Sequence, residues 1–154
     1  MVNSEYLFNN EAIGIIAITS VLKECKELSY GKSMLILPFL FHDEITSFLK
    51  RANVVVRSSE EMIVKKITLF GNFNSRYYSL LPITINSLMI LKEMRVIKIN
   101  GNKIFYTETT RGIDLDVCGL GKRAGKIIKA SKRLSDLLLL EDENSLYLKL
   151  RIQL

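Results

Sequence analysis

His42 is the chain's single histidine, and it sits between an apolar run and Asp43. No serine or cysteine nucleophile stands beside it in sequence, so a structural or capping role outweighs general-base catalysis. The two cysteines, Cys25 and Cys118, are isolated and lack any metal-ligand spacing. With one histidine available they read as reduced, buried thiols of a cytosolic protein, and no metal site is expected. Asp114 and Asp116 offer a carboxylate pair, but a metal-dependent nuclease would also need a third acid and a strand lysine. Gly119-Leu120-Gly121-Lys122-Arg123-Ala124-Gly125 has glycines at G-x-G-x-x-x-G, which fits neither the dinucleotide fingerprint nor the P-loop. It reads as a flexible entry into a basic helix, whose first backbone amides, beside Lys122 and Arg123, are able to hold a nucleic-acid phosphate. Nothing here argues for an enzyme or a cofactor.

What the residues do offer is positive charge. The formal net charge is +6. Residues 95–133 hold ten Lys/Arg against the acids Glu108, Asp114 and Asp116, so this segment is +7 and the remainder nets −1. A localised basic region is an electrostatic footprint for phosphate or for an acidic protein surface. Lys122, Lys126, Lys129 and Arg133 recur at i, i+4, i+7 and i+11, a basic stripe on a helix predicted over 122–140. Ala124, Ile127, Ile128, Ser131, Leu134 and Leu138 mark its inner face.

The elements that would position these groups centre on residues 75–107. Ser75–Leu80 predicts a short helix, Leu81-Pro82 punctuates it, and Thr84 is placed to cap a second helix through about Met94. Val96–Ile99 and Lys103–Thr107 flank Asn100-Gly101-Asn102, the strongest short-range hairpin signal. Helix–turn–helix plus hairpin is the outline of a winged helix. Its second helix is crowded by Ile83, Ile85, Leu88, Met89, Ile90, Leu91 and Met94, too apolar all round to read a major groove. Ile85, Leu88, Met89 and Met94 are therefore candidate partner contacts. Lys98 and Lys103 on the hairpin suit phosphate contact without sequence readout. A free-standing winged-helix DNA-binding regulator is the alternative reading.

The expected class is α+β, mostly helical: a winged helix-turn-helix core with added N-terminal helices and a long C-terminal helix. Three stretches, 1–71, 72–118 and 119–154, form one compact unit, as suits a chain of 154 residues. Glu11–Leu28 predicts a helix capped by Asn9 or Asn10 and stopped by Gly31. Met34–Phe41 is a buried helix start or irregular core segment, because Pro38 argues against a strand. Asp43 is expected to cap Asp43–Arg51, with Asn53–Arg57 extended after it. Ser58 with Glu61 reads as a capping box opening a helix through about Leu69. Ile113, Leu115 and Val117 alternate as a third short strand. Leu146–Gln153 alternates as a half-buried or partner-pairing strand carrying Tyr147, another candidate partner contact. Met1–Glu5 lacks the basic region of a signal peptide, and the apolar run at Met34–Phe41 falls far short of the ~20 residues that span a bilayer. A soluble, cytoplasmic protein without membrane contact is expected.

Leu37-Pro38-Phe39-Leu40-Phe41-His42 with Thr46 and Leu49, Pro82-Ile83-Thr84 with Leu88 and Leu91 before Gly101, and Ala130 with Leu134 and the leucines closing at Leu140 together resemble a known group. The chain is similar, from about Asn9 to Leu140, to the middle component of bacterial three-component ABC-ATPase systems, the Lamassu-like group acting against phages and plasmids. It lacks a proline after Asn10 and extends beyond the common end. The resemblance implies a non-catalytic accessory subunit. Its partners would be an SMC/Rad50-like ABC ATPase and an effector, commonly a nuclease, kept inactive until foreign DNA is sensed.

Overall fold

The computed structural model describes residues 9–108 and 113–154, with the side chains of Val117 and Cys118 outside the description. The expectations placed on Met1–Glu5 and on the Cys118 thiol lie outside the described residues. The chain forms α1 (Glu11–Cys25), β1 (Glu27–Ser29), α2 (Tyr30–Met34), α3 (Ile36–Leu40), α4 (Asp43–Leu49), α5 (Ser59–Lys65), α6 (Ile67–Phe70), α7 (Phe73–Glu93), β2 (Ile97–Asn100), β3 (Lys103–Tyr106), α8 (Val117–Leu140) and α9 (Glu143–Lys149). It is mostly helical with one small antiparallel sheet in the order β1–β3–β2, an α+β fold.

Local chemistry explains most element ends. Asn10 caps α1, its side chain accepting from Ile13 N at 3.2 Å. The helix stops at Lys26, in a left-handed conformation at φ 65°, and not at Gly31, which lies in the first turn of α2. His42 caps α4 in place of Asp43, Nδ1 accepting from Ile45 N at 3.4 Å. Burial first, then the nearby Arg76, holds its imidazole below the usual range, which keeps that nitrogen an acceptor. Ser58 caps α5 as expected, accepting from Glu61 N at 3.1 Å, although the helix breaks at Lys66. Residues 53–57 form no strand.

The largest correction concerns α7. No turn forms at Leu81-Pro82: Phe73–Glu93 is one helix with Pro82 inside it. Pro82 sits on an exposed face, and Thr84, read as a cap, is buried with Oγ1 donating to Leu80 O at 2.9 Å. Tertiary packing overrides the proline. Phe73, Tyr77, Leu80, Thr84, Leu88 and Leu91 all enter the core, and a turn would take half of them away from it.

The hairpin forms where Asn100-Gly101 placed it, though the two loop residues are Gly101 and Asn102, since Asn100 pairs with Lys103. Gly101 has φ 59° and Asn102 is not among the positive-φ residues, which fits a turn with glycine at its first central position. The third strand is β1, with Glu27 opposite Phe105 and Ser29 opposite Lys103. Residues 113–116 are not a strand. Nor is the tail: Leu146–Lys149 lies in α9, capped by Asp142, and the alternation at 146, 148, 150 and 152 breaks at Leu148, which is 78 % exposed.

One apolar core draws on all three sequence stretches. α1 packs against both α7 and α8, and Phe39, Phe70 and Phe73 cluster with ring centroids 4.9–6.0 Å apart. No described helix is long and apolar enough to cross a membrane.

Candidate nucleic-acid and partner interface

Two surfaces stand out, one basic and one apolar. The basic one is built on α8. That helix is interrupted at Gly121, whose φ 84° and ψ 168° are not helical, so the packed helix runs from 122 to 140. Ala124, Ile127, Ser131, Leu134 and Leu138 face the core, as their spacing predicts, whereas Ile128 is only half-buried and Ala130 takes the buried position instead. Lys122, Lys126 and Lys129 fall on the other side and line a cleft of about 620 Å³ together with Gly121, Gly125, Lys50 and Arg51. Five cations and no carboxylate line it.

The remaining predicted phosphate contacts are placed differently. Arg133 is turned inward: Nε donates to Val54 O at 2.8 Å, Nη1 to Leu49 O at 3.1 Å and Nη2 to Ala52 O at 2.8 Å. It therefore pins the turn carrying Lys50 and Arg51 against α8. Arg123 donates to Asn9 Oδ1 at 2.5 Å and lies over the Phe41 ring at 5.3 Å. Lys103 is paired with Glu27 at 3.0 Å. Lys98 is exposed on β2, and neither hairpin lysine lines the cleft. Lys50 and Arg51 were missed from the sequence because they follow α4 as an ordinary helix end. The packing of α4 on α8 and the long-range anchoring by Arg133 together bring them opposite the lysines of α8.

The apolar surface lies on the C-terminal half of α7. Ile85, Met89, Ile90 and Met94 are 40 %, 48 %, 39 % and 47 % exposed. Leu88, assigned to a partner, is instead 0 % exposed in the chain's own core. Ser87 is also buried, while Asn86 is exposed and donates to Glu11 Oε1 at 3.0 Å. A helix apolar on every side thus splits its surface: one side fills the core and the other faces solvent. Tyr147 is half-buried, its hydroxyl donating to Gly31 O at 2.8 Å and meeting the Tyr77 hydroxyl at 3.3 Å, a position that ties α9 to the body.

The other chemistry-bearing residues do not gather. His42 serves α4, exposed Asp114 accepts from the Asp116 amide, and no group of three His, Cys, Asp or Glu able to hold a metal occurs among the described residues. Residues 4–154 match the family described as ABC-three component (ABC-3C) system Middle Component 3. The chain belongs to this family. The match includes α9 and the tail, so the span of the resemblance, ended at Leu140 from sequence, extends to Leu154. No curated protein and no solved structure gave a significant match. As a middle component of an ABC-3C system, the chain has an accessory role within a multi-component ABC assembly.

Proposed function

We propose that this middle component is a non-catalytic adaptor that docks on an SMC/Rad50-like ABC ATPase of Lamassu type and holds an effector subunit, with nonspecific DNA contact through its basic face. The observation that carries the reading is the exposed set Ile85, Met89, Ile90 and Met94 on a helix whose other side is fully committed to the core. Apolar side chains left on one face of a folded unit are a signature of a protein-covered surface. The order helix, strand, helices, long helix, hairpin, with sheet order β1–β3–β2, supports a winged-helix derivative in which α7 takes the place of the recognition helix. Its exposed surface suits a protein groove better than base edges.

Co-expression with the ATPase encoded alongside tests this. The wild-type chain should co-purify with that ATPase, and Ile85→Asp with Met89→Asp should abolish co-purification while leaving the melting temperature of the isolated chain nearly unchanged. A wild-type chain that stays monomeric and ignores the ATPase would count decisively against the adaptor reading.

A further inference from the structure

We infer that the cleft between the end of α4 and α8 is a two-walled grip for consecutive phosphates of one strand of duplex DNA, with Lys50 and Arg51 on one wall and Lys122, Lys126 and Lys129 on the other. This rests on the DNA-contact part of the adaptor reading and adds the second wall. The lining carries five cations and no acid, and none of the five is in an ion pair among the described residues. Each is exposed or half-buried, so the charged ends are reachable from solvent. Along a helix rising 1.5 Å per residue, Lys122 to Lys129 spans roughly 10 Å, about three axial phosphate-to-phosphate steps at ~3.4 Å each along one strand.

The cleft lining also argues against other phosphate ligands. It contains no aromatic side chain, so neither a nucleoside base nor a splayed single strand has a platform to stack on. Contacts confined to phosphates make binding blind to sequence. The Arg133 fork holds the second wall in place through three backbone carbonyls, so the two walls keep a fixed separation instead of relying on a mobile loop.

The test is fluorescence anisotropy of the full chain with a labelled random-sequence duplex of about 20 bp, titrated between about 50 and 200 mM salt. Lys50→Gln with Arg51→Gln should weaken binding about tenfold and lower the salt slope by about two phosphate contacts. Lys126→Gln with Lys129→Gln should do the same, with each double variant melting as the wild type does. Excess ATP should not displace the duplex. If the Lys50/Arg51 variant binds as wild type while the Lys126/Lys129 variant is weakened, the second wall falls and the DNA contact stands. If neither variant is weakened, or the wild type does not bind, both fall. Displacement by ATP, or equal binding of an acidic polypeptide of matched charge, would overturn the phosphate-strand assignment.

Discussion

Gly31 sits where the Glu143 carboxylate arrives, and a Cβ at that position would meet Glu143 Cδ at 2.5 Å. That carboxylate accepts from Ser29 Oγ, while Ser29 Oγ also caps α2 by accepting from Lys32 N at 3.2 Å. The approaching atoms are the end of the flexible Glu143 side chain, so an alanine at 31 would displace that carboxylate from Ser29 and leave α9 in place. Gly31→Ala should therefore cost no more than about 1 kcal/mol, the worth of that hydrogen bond, and nothing further in a Glu143→Ala background, measured by thermal unfolding. Cys25 is a second residue whose behaviour follows from its surroundings. Burial, reinforced by the charges of Glu24 and Glu27, pushes its thiol up to about 11. The thiolate is the reactive form, so at neutral pH this cysteine is inert. In a Cys118→Ser background, a thiol-directed disulfide reagent should label the native chain much more slowly than the denatured chain, with the native rate still rising above pH 9.

Among the elements, α7 carries the sharpest test. A proline inside a helix removes one backbone donor and crowds the preceding turn, a cost of about 3 kcal/mol in a helix interior. Because α7 is continuous and Pro82 exposed, Pro82→Ala should raise the melting temperature; a decrease would instead indicate a real turn there. The end of α8 offers a pH test. Burial opposes ionisation of Glu141, but hydrogen bonds from the Ser59 hydroxyl (2.7 Å) and amide (2.5 Å), and from Lys149 (2.9 Å), outweigh it and hold the carboxyl below its usual range. A folded pKa below the unfolded one, about 4.3 for glutamate, gives stability that is full above that value and lost as pH falls through the folded pKa. Glu141→Gln should therefore lower the melting temperature at neutral pH and flatten its decline between about pH 5 and 3.

At the scale of the whole molecule, α9 and the tail are part of the body. Leu146, Leu150 and Ile152 are buried in the same cluster as α1 and α7, and Tyr78 donates to Gln153 O. Deleting residues 141–154 should cost several large core side chains at about 1.5–3 kcal/mol each, leaving a chain that is insoluble or melts far lower in a circular-dichroism scan. The sequence by itself determined what depends on short-range chemistry: a cap at Asn9 or Asn10, the Ser58 cap, the 97–106 hairpin, most of the inner face of α8, and the localised charge. It also carried the resemblance to a middle component over about residues 9–140, inside the 4–154 that match the family. Only the tertiary structure decided that Pro82 lies within a helix, that the strand partner of β3 is Glu27–Ser29, that the tail is helical, and which cations share a cleft. These outcomes turn on pairs of segments far apart in the chain. The burial gained when such segments meet outweighs the local preference of a proline or an alternating run, and spacing along the sequence cannot register that gain.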